Sequence, residues 1–384
     1  MAIIHYEGTL GIFDYDDELW SIRKNEEIPF LHYEGNVKIP IVIPEGIKSC
    51  FGMFAFRYSL KIAPKIPGTV TDCRYMFNKC DGLEIPPEIP AGVENCYAMF
   101  YDCRSLKIAP KIPGTVTDCS HMFENCESLE TAPEIPAGVE NCYAMFYKCH
   151  SLKMAPKIPG TVTDCTGMFL HCESLETAPE IPAGVENCYA MFYDCHSLKI
   201  APKIPGTVTD CRYMFENCES LETAPEIPVG VKECSEMFYK CRSLKTPPMN
   251  IPEKVTDCWR MFSECESLET APEIPASVKD CSEMFHMCRS LKTPPKIPFG
   301  VINCFAMFTD CESLETAPDI PDTVRNCSLM FVGCDSLISH ENVKINEEIK
   351  NTISDKDMYC DSGRMWREEY DRVVRENDIC IGNQ

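Results

Sequence analysis

No run of about 18 apolar residues occurs anywhere in this chain of 384, so no segment has the length of a membrane span. Met1 to Trp20 lacks a basic leader followed by an apolar stretch, and from that a cytoplasmic chain is expected, without membrane insertion. Basic residues never cluster: 36 Lys and Arg stand against 59 Asp and Glu, a net charge of -23, which argues against nucleic acid or an anionic membrane as partner. A phosphate-binding loop, a nucleophile elbow, a His-Glu-x-x-His and an isolated carboxylate pair are all missing, so neither enzymatic activity nor a cofactor is expected.

What the chain has instead is a repeat. The frame Cys-x-x-Met-Phe-x-x-Cys starts at Cys50 and recurs at Cys73, Cys96 and onward to Cys327, thirteen copies at a period of 23 with one interval of 24. Every copy but the first carries the second Cys, Arg57 standing in its place, so 25 of the 27 cysteines are in the frame. A fixed period of this size marks a solenoid, whose units stack only on their neighbours. Cysteines seven apart suit neither a metal site, where paired ligands are closer, nor the irregular frameworks of small secreted chains; they read as small buried hydrophobes kept as thiols.

Each unit can be derived. Asp or Asn precedes most frame cysteines (Asp72, Asn95, Asp118), as at a helix N-cap, and Cys, Met, Phe and Cys then follow at i, i+3, i+4 and i+7. That spacing predicts a short capped helix with an inward stripe. In the stretch Leu106–Ile112, alternation turns Leu106, Ile108, Pro110 and Ile112 inward and Lys107, Ala109 and Lys111 outward, which predicts a parallel strand that Pro110 makes polyproline-like near its end. The extra residue in Pro248–Ile251 accounts for the 24-residue interval and predicts a bulge.

A second order, of 46 residues, runs through the outward positions. Lys61, Glu84, Lys107, Glu130, Lys153, Glu176, Lys199 and Glu222 alternate strictly in sign, and Lys65, Glu88, Lys111 and Glu134 repeat the alternation four residues on. Stacked Lys and Glu would favour one register; the same row could also face a partner. On every second helix stands an aromatic pair, Tyr97 with Tyr101, Tyr143 with Tyr147, Tyr189 with Tyr193, suited to wedging between helices or to meeting a ligand. His121, His150, His171, His196 and His286 are spread over the unit and form no repeated ligand set.

The ends differ from the middle. Residues 1–49 read as an N-terminal β cap, with a hairpin around Thr9–Tyr15 and Glu18–Ile22 and further strands at 30–33 and 38–43. Residues 50–337 are the solenoid, and 338–384 a C-terminal helical cap, its helix spanning about Asp361 to Asn377.

The segment Val70-Thr71-Asp72-Cys73-x-x-Met76-Phe77-x-x-Cys80-x-x-Leu83, with the Ile-Pro-x-x-Val before each frame, resembles the BspA-like leucine-rich repeats of bacterial and some protozoan surface proteins. The resemblance covers about residues 43–337; it departs at the frame Cys, where that family more often has an aliphatic residue. It implies an α/β repeat solenoid, a right-handed stack of short helix plus parallel strand units, used for binding and often displayed at the cell surface. A non-enzymatic binding protein or adhesin is therefore expected, a monomer that meets a protein or glycan partner. An intracellular scaffold and a thiol-based metal or redox protein are the alternatives.

Overall fold

The computed structural model describes Ile4–Tyr6, Thr9–Gly11, Ile43 and residues 45–337. Near the N-terminus β1 (Ile4–Tyr6) pairs antiparallel with β2 (Thr9–Gly11), with Ile4 opposite Gly11 and Tyr6 opposite Thr9. This hairpin precedes the expected one, whose residues 12–22 lie outside the described residues. The rest of the expected β cap and the C-terminal helix lie outside the described residues.

From Cys50 on, the chain coils through thirteen units around one continuous core. The frame Cys, Met, Phe and Cys of each complete unit are buried, as are the Val three residues before the frame and the Leu three residues after it. Phe54, Phe77, Phe100 and their equivalents to Phe331 stack as one column of rings, centroids 5.5–5.8 Å apart and tilted by 3–11°. Each ring is thus covered on both faces by its neighbours, and burying a Phe side chain contributes about 2–3 kcal/mol.

The frame is not a helix. Met76 N–H donates to Cys73 O, Asn78 to Tyr75 and Cys80 to Phe77, all three residues back, whereas Cys73, Tyr75, Phe77 and Lys79 donate to Asn95, Tyr97, Met99 and Tyr101 of the next unit. Alternate amides therefore close β-turns within the coil and tie one coil to the next. The residues two and six beyond each frame Cys have positive φ, Tyr75 at 55° and Lys79 at 59° in one unit, Gly167 and His171 at 58° in another. A non-glycine residue in this left-handed region costs on the order of 1 kcal/mol, and the bonds between units offset it. Asp72, Asn95 and Asp118 do cap, accepting from the amide two residues on at 2.8–3.1 Å, but they cap a run of turns.

The expected strand also shrinks. Among the described residues of the repeats, pairing is limited to single parallel bridges one unit apart, along two columns, Ser49 to Asp72 to Asn95 and onward, and Ile62 to Ile85, then Ile108 through Thr246, with one further bridge at the ninth unit. Leu106 and Ile112 are buried and Ala109 packs against the core, whereas Ile108 is 65% exposed. Pro110 is buried too, as the alternation expected, and only Ile108 departs from it, turning outward where it bridges Thr131. In the ninth unit Asn250 bridges Glu273, Met249 is exposed, and the column that ran to Thr246 stops there, as a one-residue insertion requires.

Candidate interaction surfaces

Lys61, Glu84, Lys107, Glu130, Lys153, Glu176, Lys199 and Glu222 are all exposed, eleven residues after their frame Cys. Lys61 Nζ lies 3.1 Å from Glu84 Oε1; among the described residues no other rung of this row closes to an ion pair. The units are joined here by the backbone, Glu130 N–H donating to Lys107 O and Glu176 N–H to Lys153 O. Beside the row the bridge column carries outward Ile62, Ile85, Ile108, Met154 and Ile200, each 55–75% exposed, alternating further along with Thr131, Thr177 and Thr223. Two-residue alternation places this aliphatic strip in the core; Pro110, which cannot continue a ladder, is the signal that the alternation fails here.

Three residues upstream lies a charged row that the sequence reading passed over. Asp81, Arg104, Glu127, His150, Glu173, His196, Glu219, Arg242, Glu266, Arg289 and Glu312 stand eight residues after their frame Cys and alternate in the same phase. His150 and His196 thus share a position, contrary to the expectation of scattered histidines. The arginines of this row are paired: Arg104 reaches Glu127 at 3.4 Å, Arg289 reaches Glu312 at 3.3 Å, and Arg242 meets Glu219 and Glu266 of the row and Glu264 beside it. His171 Nδ1 sits 2.7 Å from Asp194 Oδ2, and Asn217 Nδ2 donates to Asp194 Oδ1 at 2.6 Å. Burial pushes the Asp194 carboxyl up, but these bonds and the His171 charge outweigh it and hold the pKa below the usual carboxylate range.

The tyrosines are occupied by their neighbours. Tyr97 packs edge-on against Tyr75 and His121, Tyr143 against His121, Tyr189 against Tyr213, at 4.9–5.4 Å between centroids. Tyr147 and Tyr193 flank His171 at 5.7 and 5.4 Å. Tyr101 is half-buried two units before Tyr147, its hydroxyl pKa raised by burial and then by the charges of Glu124 and Asp102. Wedging between units is what their geometry provides; Tyr143 and Tyr189 retain the largest outward area, 40% and 36%.

The second frame cysteines have a structural task that the sequence did not signal. Cys80 Sγ–H donates to Phe54 O at 3.0 Å, Cys103 to Phe77 O at 3.1 Å, and the contact recurs to Cys334 on Phe308 O. The same carbonyl accepts the amide of its own turn, so the thiol fills the second lone pair. Burial pushes Cys80 and Cys188 up to about 12 and Cys103 and Cys149 well above the usual thiol range. Metal binding and nucleophilic attack need the thiolate, which this core opposes. Among the described residues no group of three or more His, Cys, Asp or Glu is arranged to hold a metal, and no helix is long and apolar enough to cross a membrane.

Compared with known families, a BspA-type leucine-rich repeat region described in six copies matches residues 35–153, 73–199, 165–292 and 211–338. The chain belongs to that family. Among solved structures, a leucine-rich repeat protein from Bacteroides ovatus is similar at 22% identity with a TM-score of 0.56, over 78% of this chain and 84% of that one, which shows a shared fold. A leucine-rich cell surface protein from Faecalibacterium prausnitzii aligns at 20% identity with a TM-score of 0.39, over 76% of this chain and 85% of that one. No curated protein matches. In this BspA-type chain the leucine of the repeat is the buried Leu83, Leu106 or Leu129, and the frame cysteines add thiol bonds to its turns.

Proposed function

We propose that the protein is a non-enzymatic binding protein whose partner, a protein or a glycan, meets the row of Lys107, Glu130, Lys153 and Glu176 with the aliphatic strip beside it. The observation that carries this is a contrast in use. The arginines eight residues after the frame Cys, Arg104, Arg242 and Arg289, are spent on acids of neighbouring units, while the lysines and glutamates eleven residues after it stand exposed beside Ile108, Met154 and Ile200. Apolar side chains at the centre of a charged surface are the composition of an interface. Membership of a family of repeat proteins generally used for binding supports the same reading.

The alternative of a thiol-based metal or redox protein loses its support in the burial of the sulfurs. The same burial removes the thiol argument for a reducing compartment, because the fold itself shields the sulfurs. Display at the cell surface, as the family resemblance implies, is therefore as compatible with the cysteines as an intracellular scaffold. A photo-cross-linking residue placed at Ile108, and at Glu127 as control, tests the interface in the native host. The expected result is a cross-linked partner from position 108 and none from 127; capture from 127 alone would contradict it. Fractionation of the same cells locates the complex.

A further inference from the structure

The row eleven residues after the frame Cys has a property beyond exposure: it is layered. In unit 3 the exposed positions carry Lys107 and Lys111, in unit 4 Glu130 and Glu134, and each unit keeps one sign while its neighbours carry the other, through the eight units from Cys50 to Cys211. Adjacent layers are spaced by the parallel pairing of the backbone, about 4.8 Å. A charge pattern that reverses every layer cancels within roughly one period of the surface. A distant or irregular partner therefore senses little of it; a partner with the same period at contact senses all of it.

We propose that the occupant of this face is a second copy of the chain, lying antiparallel, with a two-fold axis between units 4 and 5. This deepens the binding reading and rests on it. Such an axis places unit 3 on unit 6 and unit 4 on unit 5, so an odd layer always meets an even one and every Lys layer meets a Glu layer. Lys107 then faces Glu176 of the second copy, and Lys153 faces Glu130. The axis also brings Ile85 onto Ile200 of the second copy, two side chains that are 55% and 75% exposed in one chain. An axis passing through a unit would set like charges together, so the alternation excludes those registers, and among the rest the axis between units 4 and 5 overlaps all eight layers. The interface is isologous and closes on itself, which makes the product a dimer and not a fibre. Self-pairing departs from the monomer that the sequence reading expected. The net charge of -23 opposes it at long range, but at 0.15 M salt that repulsion is screened beyond about 8 Å while contact pairs are not.

Lys107 and Glu176 are three units apart in one chain and meet only across the dimer, so reversing them separates self-pairing from any effect within the chain. Sedimentation equilibrium of the full chain in about 0.15 M salt should show a dimer. Lys107→Glu and Glu176→Lys should each weaken dimerisation by about tenfold or more, and the double variant should regain most of it. At a dilution at which all are monomeric the four proteins should melt at the same temperature, since both side chains are exposed. A wild-type chain that stays monomeric to about 100 µM overturns self-pairing, a concentration at which even weak specific contacts register. Reversals without effect, or a double variant no better than either single, overturn it as well. A monomer that still cross-links another molecule from Ile108 would sink self-pairing and leave the binding reading standing; a dimer with the predicted reversal pattern whose capture from Ile108 is a second copy supports self-pairing, and a dimer with no capture from Ile108 would overturn this face as its interface.

Discussion

Two charged rows on the same coils, three residues apart, carry the same 46-residue alternation and do different things. Along the upstream row Arg104, Arg242 and Arg289 each reach the acids of adjacent units. Along the downstream row Lys61 and Glu84 meet, and the rungs beyond them stay apart. Alternation of charge in a repeat therefore says only that neighbours could pair. Reach and direction decide whether they do: guanidinium groups on the turn side bridge two or three acids, while Lys and Glu on the bridge column point away from the stack.

The contrast presupposes one rigid core beneath both rows, and the largest predicted effect tests that. Phe192→Ala, in the middle of the ring column, should cost about 3–5 kcal/mol in a denaturant melt, whereas Met154→Ala on the exposed strip should cost less than about 0.5. Next in size is Cys149→Ala, which removes the thiol bond to Phe123 O and should cost about 1–2 kcal/mol by the same assay. Glu216 sharpens the picture of the upstream side, where polar groups are drawn into the stack. Its carboxyl is buried and pushed up to about 8 by burial and by Glu236 beside it. The folded state then holds a proton that the unfolded state releases above its ordinary pKa near 4.5, so stability from this group is full below about 4.5 and is lost as pH rises through 8. Glu216→Gln should accordingly raise the melting temperature at pH 8, by an amount equivalent to about 1 kcal/mol or more, and change little at pH 4.5.

The smallest effect compares the rows themselves. Arg242→Gln leaves Glu219, Glu264 and Glu266 facing one another without a counter-charge and should cost about 1 kcal/mol, reduced by high salt. Lys153→Gln should be neutral within about 0.5 kcal/mol.

Much of this was legible from residues alone, and the misses share a cause. The buried set of Cys, Met, Phe and Cys, the Val before it and the Leu after it follow from phase. A spacing of i, i+3, i+4 and i+7 over eight residues fits a two-turn helix and an inward-facing run of β-turns equally well, and what separates them is where alternate amides bond. In Cys73–Lys79 half of those partners lie 22 residues away, in a coil that no local pattern describes. The left-handed positions gave little warning, because Tyr75, Lys148 and Glu236 occupy them as often as Gly52 or Asn125. Ile108 was misplaced for a related reason: alternation assumes a ladder, and Pro110 prevents one. The candidate site fared in two ways, the Lys/Glu row being placed on the surface as read and the tyrosines being taken up by their neighbours.

The division of labour between the rows is tested most directly by neutralising them in parallel. One variant carries Lys107, Lys153 and Lys199 changed to Gln, the other Arg104, Arg242 and Arg289 changed to Gln, and each is measured for melting temperature and for dimerisation by sedimentation. With melting taken on dilute monomer, the lysine variant should lose association at an unchanged melting temperature, and the arginine variant should melt lower while still associating. The reverse assignment, or both variants losing both properties together, would contradict the account.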